Sequence, residues 1–406
     1  MKLLLINNLY TSYIEDFYNR NKGLSEKAYA IQKKALGDDA FAWNGVWNEP
    51  FEKLGFTVEN ICANVKPLQY TWAKENGFST ESNVLFHQIE RFQPDYLFID
   101  DIFKFDNKWI AAVKEQFPFI KLIIGYVCSP SYHVENITGY DFIFTCLEAI
   151  KNELIANNIK SAFLPHAFNS KILNELKDVD PNKEICFYGG FVRGAHWHGY
   201  REEVLTDIFN QGTQIDIYSD IVNVSVLKDF ITIKSKKILF KSYSFLKAIR
   251  VPKAILKLIP FYSRVDNWED FKAKSFDRNL KRTIKRAKYG LPLYQTMLNY
   301  RSVLNIHGDV AKNEAANMRM FEVTGAGRLL ITDWKPNLHL FFEDGKEVLS
   351  FKNSKECVEK IKWAKDHPKE AMEIARAGQL RTLKEHNFDL RAESFIQQLK
   401  VHGLIG

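Results

Sequence analysis

The fold of this 406-residue chain is decided by residues 304–333, which read LNIHGDVAKNEAANMRMFEVTGAGRLLITD. An apolar run ends at His307, and a polar loop follows it. A helix is then predicted from about Asn313, and Gly325 stops it before a second apolar run at 328–332. A strand, a helix and another strand in this order are typical of a parallel α/β sheet.

Three polar side chains, Asn317, Arg319 and Glu322, fall near the middle of this predicted helix. Arg319 and Glu322 are three residues apart, so they share a face. A helix N-terminus favours a phosphate group, and arginine adds a forked cationic partner. A carboxylate one turn further on suits the hydroxyl groups of a ribose. The stretch, with His307 and Gly325, therefore predicts a nucleotide-binding wall, although a solvated ion pair and a packed core histidine are the alternatives.

A second glycine-rich stretch, residues 186–201, reads CFYGGFVRGAHWHGYR between an apolar run and a predicted helix. Gly189 and Gly190 allow close approach of the backbone to a ligand. The stretch also holds basic side chains suited to a diphosphate, namely Arg193, His196, His198 and Arg201. Strand-to-helix turns of this kind are common, so a plain tight turn is the alternative.

Short apolar runs alternate with longer mixed segments along the whole chain. In the first 165 residues the runs lie at 2–6, 57–61, 96–99, 121–127, 142–146 and 162–164. Further along they lie at 184–188, 214–218, 302–307, 328–332 and 347–351. Runs without polar alternation are typical of strands covered on both faces. The sequence therefore predicts an α/β protein with two Rossmann-like, doubly wound domains that face a central cleft.

The predicted domain organisation follows from shifts in composition. Residues 1–165 form an N-terminal Rossmann-like domain, 166–183 a linker, and 184–388 a C-terminal Rossmann-like domain. A helix at 389–406 follows and is predicted to pack back on the N-terminal domain. Ligands of open α/β sheets bind beyond the carboxyl ends of the strands, so the cleft has room for one ligand from each half.

Composition excludes several classes of protein. The hydrophobic fraction is 46%, and Pro and Gly together make 32 of 406 residues, which excludes a disordered or collagen-like chain. No apolar run approaches the roughly 18–20 residues of a membrane span, and the run at 2–6 is read as a first strand. The five cysteines form no C-x-x-C pair, so reduced thiols are expected rather than a disulfide framework or a zinc site.

One segment carries most of the positive charge. The net charge is +7, but residues 234–288 alone hold 17 Lys/Arg against 4 Asp/Glu. We predict a basic helical insertion at about 228–288 in the second domain. Four basic residues recur at helical spacing beside a stripe of apolar residues: Lys247, Arg250, Lys253 and Lys257. This pattern is typical of a helix that binds an anionic membrane surface. A solvated insertion is the alternative, and confinement of the charge to one segment argues against nucleic acid as a partner.

The order of short motifs in the second half points to a known family. These motifs are Tyr289-Gly290, 304–307, Asn317-Met318-Arg319, Phe321-Glu322, 324–327, 344–347, 374–375 and 378–383. Together they resemble the C-terminal domain of CgeB-like (spore-maturation-type) glycosyltransferases of the GT-B superfamily. Weaker agreement extends upstream through 187–190 and 198–201.

The resemblance implies a GT-B fold and transfer of a sugar from a nucleotide-sugar donor, without a metal ion or other cofactor. It places the donor on the second half and implies that Glu322 is the carboxylate on the donor ribose. Glu314 lies eight residues earlier and reproduces an E-x7-E spacing of related retaining families. Many relatives carry acidic residues after the strand at 121–127, but this chain has Cys128-Ser129-Pro130 there, so no acidic base is expected in that loop.

An inverting transfer needs a general base, which should come from the first half. Asp100 and Asp101 end a predicted strand and are the best positioned acids, and we predict Asp101 as the catalytic residue. His87, His133 and Glu135 are the rivals. A retaining transfer needs no such base, and the sequence leaves both outcomes open.

The sequence therefore predicts a cytoplasmic glycosyltransferase, in solution or on the inner face of the membrane, that acts on a saccharide, lipid-linked or protein acceptor. Relatives work in the assembly of cell-surface polysaccharide, lipopolysaccharide O-antigen or glycoconjugates. The donor-binding residues are predicted to be Gly189, Gly190, Arg193, His198, His307, Asn317, Arg319, Glu322 and Gly325, with no metal ligand. Two alternatives remain, a nucleotide-sugar epimerase of the same fold and a non-catalytic, membrane-associated sugar-binding protein.

Overall fold

Two six-stranded sheets form the chain, and all neighbouring strands run parallel. The computed structural model describes residues 1–130, 132–191, 199–220, 226–252, 255–256, 278–311 and 313–406. Helices flank each sheet, so the predicted α/β fold with two doubly wound halves is confirmed.

The first sheet has the order β2-β1-β3-β4-β5-β6. Its strands are β1 (Lys2–Asn7), β2 (Thr57–Cys62), β3 (Tyr96–Ile99), β4 (Leu122–Val127), β5 (Phe142–Thr145) and β6 (Ser161–Phe163). Every residue of β3, β4 and β5 is buried, because helices cover both faces. This explains why these strands read as unbroken apolar runs.

The second sheet has the order β12-β11-β10-β7-β8-β9. Its strands are β7 (Lys183–Tyr188), β8 (Asp216–Ser219), β9 (Ile284–Arg286), β10 (Tyr300–Asn305), β11 (Leu329–Asp333) and β12 (Leu349–Phe351). All predicted runs overlap a strand. The sequence missed β9, because this edge strand buries only Ile284 and exposes two basic residues.

Sixteen α-helices lie in the described part of the chain. The first half and the linker contain α1 (Thr11–Arg20), α2 (Tyr29–Asp38), α3 (Asn48–Lys53), α4 (Lys66–Glu75), α5 (Val84–Phe92), α6 (Asn107–Gln116), α7 (Glu148–Ala156) and α8 (Ile172–Glu175). The rest contains α9 (Gly199–Asn210), α10 (Val226–Ala248), α11 (Arg278–Thr283), α12 (Gly290–Met297), α13 (Met318–Gly325), α14 (Ser354–Asp366), α15 (Pro368–Glu385) and α16 (Phe388–Val401). Short 3₁₀ turns lie at Leu24–Glu26, Val134–Asn136, Asp309–Ala311 and Leu338–Leu340.

The last helix, α16, belongs to the core of the first half. The Phe395 ring lies 4.5 Å from the ring of Phe144 and 4.9 Å from that of Phe98. Phe388, Ala392 and Leu399 join the same cluster. The chain therefore crosses between the halves twice, once after β6 and again before α16.

The two crossings are tied to each other. The Phe168 N–H donates to the His386 carbonyl at 2.8 Å, and the Arg391 guanidinium donates to the Pro165 carbonyl at 3.0 Å. Arg391 also donates to Nδ1 of His386 at 3.0 Å, while Nε2 of His386 lies 3.0 Å from the Phe341 carbonyl. His386 is therefore held as the neutral imidazole that donates from Nε2.

We expect the melting temperature to fall as the pH is lowered from about 6.5 towards 4. Burial, opposed in part by the hydrogen bond to Phe341 and reinforced by Arg391, lowers the pKa of His386 to about 4. The unfolded chain protonates its histidines at about 6.5, so between these values it binds more protons than the folded chain, and stability falls with pH.

Thermal melts at pH 7.5, 6.0, 5.0 and 4.5 test this, with His386→Gln and a control, His133→Gln, whose side chain is 69% exposed. His386→Gln should be less stable at pH 7.5 and should show a shallower loss on acidification, whereas His133→Gln should follow the wild type. Parallel pH profiles of wild type and His386→Gln would contradict the assignment.

Helix α10, within the segment predicted as a basic insertion, lies between β8 and β9. Residues 221–225, 253–254 and 257–277, which include Lys253 and Lys257, lie outside the described residues. The stripe predicted at 247–257 is interrupted: α10 ends at Ala248, Arg250 has a φ of +62°, and Pro252 follows. Among the described helices, none combines the length and the apolar character that a bilayer crossing requires.

Candidate functional site

Each sheet has a switch point at its carboxyl edge, where the direction of strand addition reverses. In the first sheet it lies between β1 and β3, and in the second between β7 and β10. Asp100 follows β3, whereas Gly189 follows β7 and His307 lies two residues beyond β10. Open α/β sheets bind ligands at such points, so the predicted residues of both halves lie where the topology forms crevices.

Arg201 holds the two loops at the second switch point. Its guanidinium donates to the Gly190 carbonyl at 2.6 Å and to the Ile306 carbonyl at 2.8 Å, and its side chain is buried. A Cβ at Gly189 would lie 2.8 Å from the Phe187 ring, so a larger residue there would push this ring out of place. These donors are used by the backbone, so Arg201 positions the loop instead of offering free N–H groups. Arg193 and His198 lie outside the described residues.

Helix α13 begins later than predicted. It starts at Met318 and not near residue 313, because Asn337 holds the preceding loop by accepting from the Ala315 N–H at 2.6 Å and donating to the Ala315 carbonyl at 3.1 Å. Asn317 becomes the residue before the helix, and its Nδ2 donates to Oδ1 of Asn305 at 2.6 Å. The helix N-terminus therefore lies beside the end of β10.

Arg319 and Glu322 form the polar cluster of α13. The guanidinium lies 2.7 Å from Oε2 of Glu322, and the Tyr294 hydroxyl donates to Oε1 at 3.0 Å. The side chain of Glu322 is 10% exposed and that of Arg319 is 20% exposed. Arg319 also lies over the Tyr188 ring, 5.7 Å from its centroid. A solvated surface ion pair is therefore excluded, since both partners are largely covered.

Tyr10 lies in the loop between β1 and α1, and the residue is 70% exposed. The protein around it, and then the carboxylates of Asp100, Glu322 and Asp101, raise its pKa. Glu322 comes from the second half and the two aspartates from the first. The charges of both halves therefore act on one tyrosine hydroxyl.

The two aspartates after β3 differ in environment. Asp101 accepts from the Asn8 side chain at 3.0 Å and from the Phe103 N–H at 3.2 Å, so it stabilises a turn. Asp100 has a buried Oδ1 without a hydrogen-bond partner. Burial, and then the charge of Asp101, raises the pKa of Asp100 well above its ordinary value.

The other candidates for the general base lie in less suitable places. His133 and Glu135 have strongly exposed side chains, and His87 stacks on Phe78.

His307 is a buried histidine with a carboxylate partner. Its Nδ1 lies 2.7 Å from Oδ1 of Asp333, and its backbone N–H donates to the same oxygen at 2.9 Å. Burial alone would raise the pKa of Asp333, but His307 and Lys335, which lies 3.2 Å from Oδ2, lower it to about 2. Nε2 of His307 is buried without a partner. The sequence analysis gave Asp333 no role and missed this pair.

Glu314 joins the two halves. Its carboxylate accepts from the backbone N–H groups of Glu148 at 2.8 Å and of Ala149 at 2.9 Å. These are the first residues of α7, so Glu314 caps a helix of the first half. In this arrangement both oxygens are occupied by protein, although the E-x7-E spacing had suggested a role near the donor.

Two glycines of the quoted motifs serve close packing. Gly290 has a φ of +58°, and a Cβ there would lie 2.3 Å from Asp39, whose carbonyl accepts from the Leu291 N–H at 2.8 Å. A Cβ at Gly325 would lie 2.3 Å from the Phe168 ring. Gly325 therefore allows α13 to pack on the chain crossing.

We expect Gly325→Ala to destabilise the protein by about 1–3 kcal/mol, the usual cost of overpacking a filled core. The expected partner is Phe168, so Phe168→Leu in the Gly325→Ala background should recover part of the loss. Chemical denaturation of the wild type, both single variants and the double variant measures this coupling. Strict additivity of the two changes would contradict the packing role.

The sequence also offers Trp43, Trp47 and Trp197 as aromatic rings for a sugar platform. The indole rings of Trp43 and Trp47 instead pack in the first core, and Trp197 lies outside the described residues. The expectation that all thiols are free differs from the structure, which joins Cys128 and Cys146 as a disulfide. These cysteines end two adjacent parallel strands, β4 and β5, which the spacing alone did not indicate.

Comparison with known proteins bears directly on this site. Residues 245–397 match the family model described as "Glycosyl transferase-like". This match covers α13 and its polar cluster. No curated protein matches the sequence.

Solved structures with the same two-domain fold cover nearly all of the chain. Sucrose-phosphate synthase from Thermosynechococcus elongatus is 11% identical, with 98% of each chain covered and a TM-score of 0.53. HepE from Anabaena, solved with UDP and glucose, is 11% identical, with 99% of this chain and 100% of that chain covered and a TM-score of 0.51. T4 phage β-glucosyltransferase is 11% identical, with 98% and 99% covered and a TM-score of 0.52. The chain therefore carries a glycosyltransferase-like domain on a GT-B fold.

Proposed function

We propose that this protein transfers a sugar from a nucleotide-sugar donor to a saccharide, lipid-linked or protein acceptor. The observation that carries the proposal is the covered cluster of Arg319, Glu322 and Tyr294 at the carboxyl edge of the second sheet. A cation and a carboxylate one turn apart match the diphosphate and the ribose of such a donor. HepE, with the same fold, is solved with UDP-glucose, which supports this class of ligand.

The donor groups have distinct proposed roles. The N–H groups at the start of α13 and the guanidinium of Arg319 hold the diphosphate and stabilise it as the leaving group. Glu322, with Tyr294 fixing one oxygen, accepts from the ribose hydroxyls. Gly189 and Gly190 allow the β7 loop to approach the donor, and His307 and Asn317 fix the end of β10. Arg193 and His198 are retained as donor ligands on the sequence argument alone.

For an inverting transfer, the general base is proposed to be an aspartate after β3. Asp101 was predicted, but the geometry favours its neighbour Asp100. The two carboxylate oxygens of Asp101 accept hydrogen bonds from the Asn8 side chain and the Phe103 N–H. Asp100 instead has a buried oxygen without a hydrogen-bond partner, and its pKa is raised. A carboxylate whose pKa approaches the working pH is a stronger base towards an acceptor hydroxyl. No metal ion is required by this scheme.

The acceptor is proposed to enter beside the first sheet. A cavity of about 630 Å³ lies between α2, the segment 40–49, the linker and Leu291. Asn44 and Asn48 line it, and each has a buried amide atom without a partner. Asn60 lines both this cavity and a small cleft that reaches Asp100. Unpaired amides suit saccharide hydroxyls, because a buried polar group gains most from a hydrogen-bonding ligand.

The test is a screen of UDP-, GDP-, TDP- and CMP-sugars for binding and turnover with the full chain. Binding of one nucleotide class is expected, with release of its nucleotide (a nucleoside diphosphate, or CMP from a CMP-sugar) in the presence of a glycan or lipid-linked acceptor. Conversion of the donor without an acceptor would indicate the epimerase instead. Failure of every donor to bind would contradict the proposal.

We further propose that α10 docks the enzyme on an anionic membrane, on the cytoplasmic side, where lipid-linked acceptors are available. Its outer face exposes Ile231, Ile238 and Phe245 at seven-residue spacing, between 54% and 66% exposed. Lys234 and Lys241 lie between them on the same stripe. Helices bound to a membrane surface typically insert apolar side chains into the headgroup layer and carry flanking lysines. Each lysine near anionic lipid contributes about 1 kcal/mol to the binding free energy.

We expect Ile238→Ser/Phe245→Ser to lower co-sedimentation with phosphatidylglycerol-containing vesicles at least tenfold. Ile155→Ser, a 50% exposed residue on α7, is the matched control and should change nothing. Added salt should weaken binding, because the lysine attraction is screened. Equal binding to pure phosphatidylcholine vesicles, or an unaffected double variant, would contradict docking through α10.

A further inference from the structure

Three soft-metal ligands meet at the carboxyl edge of the first sheet. Cys128 follows β4, Cys146 follows β5 and His166 follows β6, which are three adjacent parallel strands. One ligand atom from each lies within 4.8 Å of the other two. In the structure the two sulfur atoms are joined as a disulfide, with the Cα atoms 5.4 Å apart. The three remaining cysteines, Cys62, Cys186 and Cys357, are free and buried.

A disulfide alone leaves the histidine unexplained. Nδ1 of His166 is buried without a hydrogen-bond partner. An imidazole with a free, buried ring nitrogen beside two sulfur atoms is the donor set of a zinc site.

The surroundings also suit thiolate ligands. The Cys146 N–H donates to Sγ of Cys128 at 3.0 Å, which stabilises negative charge on that sulfur. The Arg391 guanidinium donates to the carbonyls of Pro165 at 3.0 Å and His166 at 3.3 Å, so it fixes the backbone that carries the imidazole. These contacts hold the ligands as outer partners do in known metal sites.

We propose that, in the reduced protein, Cys128, Cys146 and His166 bind one Zn²⁺ ion. A thiol reductant first converts the disulfide to two thiols and is itself oxidised to a disulfide. Zn²⁺ then displaces one proton from each thiol into solvent, and two thiolates with a neutral imidazole make the site neutral overall. Tetrahedral zinc places such ligands about 3.5–3.8 Å apart and leaves the fourth position to water or another oxygen ligand. The two sulfur atoms, which are bonded in the disulfide, therefore have to separate to that distance once they are reduced.

This ion belongs to the first half, away from the diphosphate groups proposed on α13. The bound zinc would therefore take no part in the sugar transfer, which is expected to need no metal ion. The backbone N–H of Glu148, two residues after Cys146, donates to the carboxylate of Glu314 in the second half. The site thus adjoins a contact between the halves, and its occupancy is independent of whether the donor proposal holds.

The test uses the full chain, reduced with a phosphine and incubated with Zn²⁺ alone. Mass spectrometry of the desalted protein should find one zinc ion per chain, and Co²⁺ should give thiolate charge-transfer absorption. Cys128→Ser and Cys146→Ser should each lose binding at least tenfold, and His166→Gln should weaken it. Cys357→Ser is the matched control and should bind as the wild type does.

A second measurement needs no variant. Zn²⁺ should protect Cys128 and Cys146 of the reduced wild type from alkylation, mapped by peptide mass, and leave the alkylation of Cys357 unchanged. Absence of zinc from the reduced wild type, with unprotected thiols, would overturn the proposal and leave a simple disulfide. Full binding by Cys128→Ser would overturn it as well.

Discussion

Glu322→Gln should lower the affinity for the nucleotide-sugar donor by about 10- to 100-fold. The change removes the charge that accepts from the ribose hydroxyls, and hydrogen bonds to charged groups contribute about 1.5–3 kcal/mol. It also frees Arg319 from its ion pair at 2.7 Å. Equilibrium titration and the KM for the donor measure the effect, and KM should rise more than kcat falls.

A matched control separates this role from a general loss of an ion pair. Glu343 and Lys346 form another pair three residues apart, but their side chains are 61% and 72% exposed. Glu343→Gln should leave donor affinity and the melting temperature nearly unchanged, because exposed pairs contribute little. If both variants lose donor affinity equally, or if neither does, the assignment of Glu322 to the ribose is wrong.

Asp100→Asn should lower kcat by about 10²–10⁴-fold if the transfer inverts configuration, since this is the usual contribution of a general base. Asp101→Asn should cost less, because the asparagine oxygen keeps one of the two acceptor positions, towards Asn8 or towards the Phe103 N–H. Donor affinity should survive in both variants, because the donor lies on the other half.

The pH dependence gives an independent reading of the same residue. Burial and Asp101 raise the pKa of Asp100, and only the ionised carboxylate accepts a proton. The kcat of the wild type should therefore fall as the pH drops through that raised pKa, while Asp100→Asn should lose this limb. Retention of wild-type kcat by Asp100→Asn, with the fold intact, would contradict the base and favour a retaining mechanism.

The fold was predictable because its signal is hydrophobic and local. Strands β3, β4 and β5 are covered on both faces, so they appear as apolar runs of the right length. Edge strand β9 has one buried residue and gives no such signal.

The sequence predicted the kind of residues in the candidate site better than their contacts. Spacing indicated that Arg319 and Glu322 share a face, and the structure pairs them. It gave no sign of Tyr294, which reaches the cluster from a distant position in the sequence. It also misjudged the start of α13, because Asn337 holds the loop through tertiary hydrogen bonds that no local pattern records. For the same reason, nothing in the spacing indicated that Cys128, Cys146 and His166 lie together.

The most direct test is a binding comparison of a ribonucleoside diphosphate with its 2′,3′-dideoxy counterpart, on the wild type and on Glu322→Gln. The nucleotide is the one among UDP, GDP, ADP and CDP that raises the melting temperature most. The wild type should prefer the ribose form by at least tenfold, and Glu322→Gln should bind the two forms equally. An equal preference for ribose in both proteins would contradict the claim that the carboxylate of α13 holds the donor.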